Sequence, residues 1–309
     1  MRKYLCKRLL LSIITLFVIL LVLFLLLSFM PGSPFNSQKL SPEQVAVLNA
    51  KYGLDRPLPE RFVKYVGNML QGDLGVSYSL SSNTPVSTLL KNRLPVTITI
   101  GVVSLIIGAV IGIFVGMSAA LSRSRIVKVI YNILTIVGIA IPSYLIAIFL
   151  SYFAGYKQAW LPLLFDINHP IVTSIMPVVS MSAIVVAVVS RFTCEEAGRV
   201  IASDYVLLAR CQGVSKLTVI TRYILPNSIM PVITIIAMLL VGLMTGSLVI
   251  EQMFAIPGTG ALLTQAISAN DYNVILALSF VYSAMYIIAI LAVDVLYCLI
   301  DPRVRLSDD

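Results

Sequence analysis

Charge is scarce in this chain. Aspartate, glutamate, lysine and arginine make up 12% of its 309 residues, about half the share of an ordinary soluble domain. There is a single histidine, His169, so neither a histidine metal cluster nor an H-E-x-x-H zinc site can be built; we read His169 as a loop or interfacial residue. Four cysteines, Cys6, Cys194, Cys211 and Cys298, include no C-x-x-C pair and so give no metal-ligand spacing. No lysine is followed by serine or threonine, which removes the usual phosphate-binding loop of nucleotide hydrolases. Paired acids in the middle of apolar runs and inverted repeats are also missing. That argues against an ion-coupled secondary transporter and against an intramembrane enzyme.

What is present is apolar. Hydrophobic residues make 59% of the chain and the mean hydropathy is +0.97, more apolar surface than a soluble domain can hide. The formal charge of +8 does not point to nucleic acid. Its basic residues are scattered over loops flanking apolar runs, as in proteins that set their orientation in a bilayer. The chain reads as an all-α, polytopic membrane protein.

The first domain, residues 1–30, is a basic start followed by 22 uncharged residues, 9–30, enough to cross a core of about 30 Å. The run is too long for a signal-peptide core and has no small-residue cleavage site, so it is expected to stay as the first span. Residues 31–93 read as an ordered extracytoplasmic cap. PGSPF stops the first helix, 41–49 starts a helix with Ser then Pro, 52–59 is turn-rich, and 61–70 has helical apolar spacing. The core domain, 94–309, carries five further spans at 94–121, 129–156, 171–190, 223–250 and 273–293.

In the second span Gly108, Gly112 and Gly116 share one face. Small residues four apart allow close helix approach in lipid, although glycine is also simply common in membrane helices. In the third span Ile141-Pro142-Ser143 predicts a kink, and Trp160 beyond it is an interface anchor. Six spans put both termini on one side. With the long 31–93 segment set aside, that side holds 14 lysines and arginines and the other holds one, so both termini and the loop 191–226 are expected in the cytoplasm. All four cysteines then lie toward the reducing side.

The loop 191–226 is the main polar interruption of the apolar C-terminal half. Residues 195–210 have apolar positions at spacings of three and four (Ala197, Val200, Ile201, Tyr205, Leu208, Ala209) and predict one amphipathic helix. Asp204 opens the turn leading to Leu207-Leu208-Ala209, Gly213 offers the left-handed stop, and Lys216 restarts a helix that Pro226 hands to the next span. Such a helix is either a lever between two spans or a helix lying on the bilayer; periodicity does not choose. In 251–272, Glu251, Phe254, Pro257, Gly258 and Gly260 form an acidic, proline- and glycine-containing block without Lys or Arg, which reads equally as a structural turn. Asp294 lies at the inner end of the last span with Tyr297 and Asp301 at i+3 and i+7, a placement that suits pairing with Arg303 or another subunit.

These residues resemble a family. Gly213, Leu225 and Pro226, with Ala209, match the spacing of the EAA loop of ABC-importer permeases, while Leu207, Leu208 and Tyr223 depart from it. PGSPF, LNAKYGLDRPL, GDLGVSYS, IPSY, SDYVLLARCQGVS, TGSLVIEQMFAIPGTG (GTG where the family has G-L-G) and DVLYCLIDPRVRLS are similar, in order, to the B-type (first) permease subunit of the oligopeptide/dipeptide importers, most like the oligopeptide branch. The resemblance implies a type I ABC-importer permease fold in the bacterial cytoplasmic membrane and a non-catalytic, multi-pass subunit forming half of an oligopeptide path by alternating access. Dipeptides, nickel chelates or glycosides are alternative cargoes. It implies as partners a second permease, two ATPase subunits, an extracytoplasmic peptide-binding protein and lipid. It implies no cofactor on this chain, ATP and Mg being held by the ATPases. It also implies that the loop helix couples to an ATPase through Asp204, Tyr205, Ala209, Arg210, Gly213 and Lys216, and that the Glu251–Gly260 block serves the outer gate or receptor contact.

Overall fold

Long apolar runs with hydroxyls, glycines and few charges form helices, because only a helix satisfies every backbone group within its own segment in lipid. The computed structural model describes residues 2–29, 42–81, 83–244 and 248–300, with side chains in the last helix followed to Ala292. PGSPF, Gly246, the side chain of Asp294 and its expected neighbours Tyr297, Asp301 and Arg303 lie outside what is described. Among the described residues the regular structure is helical, with one isolated bridge between Val76 and Pro85. Five helices have the length and apolarity of a membrane span, and a helix pair, Arg125–Ala140 with Ser143–Lys157, supplies a sixth if counted as one. The chain divides into two units.

The first unit comprises 1–97 and 257–291. Helix α1 (Arg2–Phe29) exposes most of its apolar surface and buries one stripe, Leu20, Phe24 and Leu27. The cap supplies α2 (Pro42–Tyr52) and α3 (Leu58–Leu70). Pro57 precedes α3 and Pro59 lies in its first turn, where the missing N–H costs nothing. Phe62 of α3 packs on α1, its ring centroid 5.3 Å from both Phe17 and Phe24, and the Arg61 guanidinium lies 5.7 Å over Phe24. Burial pushes the Tyr65 phenol above its usual range and Arg61 below its own. Helices α13 (Thr259–Ser268) and α14 (Tyr272–Ile300) and the first turns of α4 (Val86–Leu121) complete the unit. Helix α4 starts eight residues before the expected 94, straight after Pro85. The interior Pro95 does not end it.

The second unit comprises 98–256 and 292–309. The glycine face of α4 is its organising feature. It lies against α8 (Ile175–Ile201) so closely that a Cβ on Gly108 would stand 2.9 Å from the Ser182 carbonyl oxygen, and one on Gly112 3.1 Å from that of Val186. Gly101 makes a similar approach to Leu243 of α11 (Leu225–Met244). Several buried hydroxyls donate within their own helices, as in Ser104 to Ile100 O at 2.7 Å and Ser180 to Met176 O at 2.7 Å.

The expected kink at Pro142 is a break. Helix α5 (Arg125–Ala140) and α6 (Ser143–Leu150), which runs on as a π-helical stretch Ser151–Lys157, meet at 96°. Proline bars its predecessor from the helical region, and Ile141 is extended at φ −81°, ψ 118°. A single turn α7 (Pro170–Thr173) leads into α8. Helix α8 continues eleven residues past the expected end of the span at 190, through Arg191, Glu195, Glu196 and Arg199.

Candidate functional site

The loop between α8 and α11 is built from two short helices and a glycine stop. The single amphipathic helix expected over 195–210 is not formed. Its first half, through Ile201, is the end of α8; Ala202 and Ser203 break the helix, with Ser203 extended at φ −76°, ψ 150°. The Ser203 hydroxyl donates back to Val200 O at 2.6 Å, closing the end of α8. Asp204 then opens α9 (Asp204–Cys211), its carboxylate in the first turn where the helix dipole favours it. The apolar spacing ran uninterrupted across the break, so periodicity did not reveal it.

Helix α9 rests on a small core. Val206 and Ala209 are buried against Met117, Ala197, Val219 and Ile224. Tyr205, Leu207 and Leu208 face outward, 44%, 60% and 59% exposed. The apolar face expected to hold Tyr205 and Leu208 is thus split. The inner face belongs to Val206 and Ala209, and an apolar ridge is left on the surface. Gly213 adopts φ +78°, and the chain closes the helix with Val214 N donating to Ala209 O at 3.2 Å and Gly213 N to Arg210 O at 3.0 Å. Ser215 caps α10 (Lys216–Thr218) by accepting from Thr218 N at 3.3 Å. A π-helical stretch, Val219–Ile224, joins α10 to α11.

Of the loop residues singled out, Asp204, Tyr205, Arg210, Gly213 and Lys216 are exposed and Ala209 is a core contact. Arg210 and Lys216 are brought together with Arg123 and Lys128, from the end of α4 and the start of α5, around a cavity of about 890 Å³. The cations of α8 are disposed differently. Arg191 pairs with Glu195 at 3.2 Å and Arg199 with Glu196 at 2.8 Å. A second recess, about 530 Å³ between α4, α5 and α8, has an uncharged wall that includes Phe114, Tyr131, Thr135 and Ser190.

The Glu251–Gly260 block is divided between the two units. Glu251 and Phe254 belong to the second unit and are buried, in or just after α12 (Leu248–Met253). There Phe165 N donates to Phe254 O at 2.8 Å and Ile256 N to Glu251 O at 2.8 Å. Pro257, Gly258 and Gly260 belong to the first unit, where Gly258 is the extended N-cap of α13 and Thr97 Oγ1 accepts from Thr259 N at 2.8 Å. Of the five residues named, only Pro257 is on the surface.

One residue was missed. Asp271, wholly buried in the first unit, accepts at Oδ2 from the Ser77 hydroxyl at 2.5 Å and from the backbone N–H groups of Tyr78, Ser79 and Leu80 at 3.0, 3.1 and 3.1 Å. Asn273 donates to Val76 O at 2.7 Å. The loop of the GDLGVSYS motif is thereby tied to the start of α14. An Asp before a helix is a legible N-cap, but a partner 194 positions away is not.

Two family models match the chain. One, described as "Binding-protein-dependent transport system inner membrane component", covers residues 108–306, and its N-terminal companion covers 1–101. The dipeptide transport system permease protein DppB of Lactococcus lactis subsp. cremoris is 39% identical over 308 residues, 99% of this chain and all of that protein. The oligopeptide transport system permease protein OppB of Haemophilus influenzae is 32% identical, again over 99% of this chain and all of its own length. The glutathione transport system permease protein GsiC of Salmonella paratyphi A is 32% identical over 99% of both chains. The match is continuous from the basic start to the last helix.

Proposed function

Since the chain belongs to the binding-protein-dependent transport system inner membrane component family, we propose that it is the membrane permease subunit of an ATP-driven peptide importer, forming half of the translocation path and performing no chemistry itself. Full-length likeness to permeases named for dipeptides, oligopeptides and glutathione keeps the cargo within peptides. The motifs of the oligopeptide branch favour longer peptides, and the 39% identity to a dipeptide permease keeps the dipeptide reading open. A second permease would complete the path, with the uncharged α4/α5/α8 recess as a wall suited to a variable cargo. An extracytoplasmic receptor would select the peptide, and ATP with Mg would reside on two ATPase subunits.

The observation that carries the reading is the outward apolar ridge of α9. Leu207 and Leu208 are each about 60% exposed on a helix whose other face is locked to α8 and to the helix entering α11. An exposed apolar ridge on a short, rigidly seated helix suits insertion into a groove of a partner. A push on α9 reaches α8 and α11 together through Ala197, Val219 and Ile224, so both spans would move as the ATPases close and open. Asp204, Tyr205, Arg210, Gly213 and Lys216 frame the contact, while Ala209 acts from beneath it. The test is a Leu207→Asp/Leu208→Asp variant of the assembled transporter. Peptide-stimulated ATP hydrolysis and uptake fall at least tenfold, and receptor–peptide binding is unchanged. Uptake at the wild-type rate overturns the assignment of α9 as the coupling helix.

A further inference from the structure

The α9 loop shares its cavity with a second element. Arg210 and Lys216, on the α9–α10 segment, line the cavity of about 890 Å³ together with Arg123 and Lys128, from the connection between α4 and α5 and the first turn of α5, and no acid lines it. All four side chains are exposed, and among the described residues none has an ion pair. The glutamates of the neighbouring α8 are already taken, Glu195 by Arg191 at 3.2 Å and Glu196 by Arg199 at 2.8 Å. Converging cations repel one another, and a carboxylate brought among them relieves that repulsion. The place of the cavity along α8 decides what kind of anion reaches it. Ile201, which lines the cavity, ends α8 ten residues after Arg191, the first charge in that helix, about 15 Å further along at 1.5 Å per residue. Glu195, Glu196 and Arg199 lie between them, so the last three turns of α8 form a charged stalk beyond the apolar part of the span. The cavity sits at the tip of that stalk, beside the apolar ridge of α9, and its wall is mostly polar. A polar, cationic concavity in that position suits the acidic surface of a soluble protein.

We propose that the α4–α5 connection is a second docking element for the ATPase subunit that takes the α9 ridge. The cavity receives an acidic segment of that subunit, its carboxylates held between Arg123 and Lys128 on one element and Arg210 and Lys216 on the other. The proposal rests on α9 being the coupling helix, and it adds a second surface and the charge of what binds there. The two surfaces do different work. Leu207 and Leu208 gain by burial, which salt does not weaken. Exposed cation–carboxylate pairs steer the approach and fix the orientation of the partner, and they weaken as salt screens them. An acidic segment held by both elements ties the start of α5 to α9, so that movement of the ATPase reaches α5 as well as α8 and α11.

The test treats the assembled transporter with a water-soluble carbodiimide, which joins a lysine amine to a carboxylate in contact with it, and reads the joined peptides by mass spectrometry. Lys128 is joined to an aspartate or glutamate of an ATPase subunit, and the product is lost in K128R. In membranes washed with increasing sodium chloride, R123Q/K128Q releases the ATPase subunits at half the wild-type salt concentration or less. R123K/K128R, which keeps both charges, releases them at the wild-type concentration. Absence of a Lys128 product, or its joining to the second permease or to this chain itself, overturns the proposal. So does a wild-type release point in R123Q/K128Q. The Leu207→Asp/Leu208→Asp variant reads the α9 contact separately. Loss of coupling there, with no ATPase product at Lys128 in the wild type, overturns the acidic dock alone and leaves α9 as the coupling helix. Wild-type uptake in that variant removes the reading on which the dock rests.

Discussion

Asp271 shows how much one side chain can organise. A buried carboxylate is tolerated when its lone pairs are filled by donors, and here three successive backbone N–H groups and a serine hydroxyl converge on one oxygen. Gly75 fits the same arrangement. It has φ +74°, and a Cβ there would collide with Asn273, the next polar anchor of the loop. Removing the carboxylate leaves several buried donors unsatisfied at roughly 1–3 kcal/mol each, part of which water can recover, so Asp271→Ala should destabilise the first unit by about 3 kcal/mol. Asp271→Asn, which keeps an acceptor but loses the charge, should cost less. Thermal unfolding of the purified transporter and proteolysis of the 77–84 loop check this. Wild-type unfolding and an uncut loop in Asp271→Ala would remove Asp271 from its anchoring role. The glycines and serines of GDLGVSYS were visible in the sequence as a motif. Its dependence on Asp271 was not, because local pattern carries no information about a contact between residues 77 and 271.

Among the elements, the pairing of α4 with α8 was the most legible. Glycines four apart announced a close face, and the structure sets each of them against both α8 backbone and β-branched side chains anchored at their Cβ atoms, Val185, Val189 and Thr193. At Gly116 a Cβ would stand 3.0 Å from the Ser190 carbonyl carbon and 2.8 Å from Thr193 Cβ. Gly116→Ala should therefore separate the two helices and cost about 1–3 kcal/mol by overpacking. Gly198 in α8 has open space where its Cβ would be, so Gly198→Ala should be neutral or stabilise by up to about 1 kcal/mol through helix propensity. Yield and thermal stability of the two variants in one background measure the contrast, and equal behaviour would mean that the glycine face does not set the helix distance. The 195–210 segment was misread for the complementary reason. Spacings of three and four persist through Ala202 and Ser203, and what ends α8 is one serine hydroxyl turned back on its own helix, a choice that apolar periodicity does not encode.

At the level of the whole molecule, hydropathy counted the third span as one crossing, and its sharp bend reopens the parity. Helix α5 has 16 residues, about 24 Å at 1.5 Å per residue, and it meets α6 at 96°. A pair bent so sharply could enter and leave on one side, and α8 would then carry the α9 loop to the opposite face. The cationic cavity decides between these paths. Arg123 lies just before the bent pair and Lys128 in its first turn, while Arg210 and Lys216 follow α8, yet all four line one concavity within one unit. The chain must therefore cross an even number of times between them, and since α8 crosses once, the bent pair crosses once as well. Six spans follow, with α9 on the same side as the 122–128 connection, in agreement with the clustering of basic residues there. The excess of lysine and arginine leads us to expect that side in the cytoplasm. Cys211 reports on it, being exposed at the end of α9, whereas Cys194 is half-buried. A membrane-impermeant maleimide should leave Cys211 unmodified in intact cells and modify it after permeabilisation, while a Gln158→Cys variant, placed just past the bent pair, should be modified from outside. Modification of Cys211 from outside, or protection of Gln158→Cys there, would reverse the crossing of the bent pair and move the α9 ridge out of reach of any cytoplasmic ATPase.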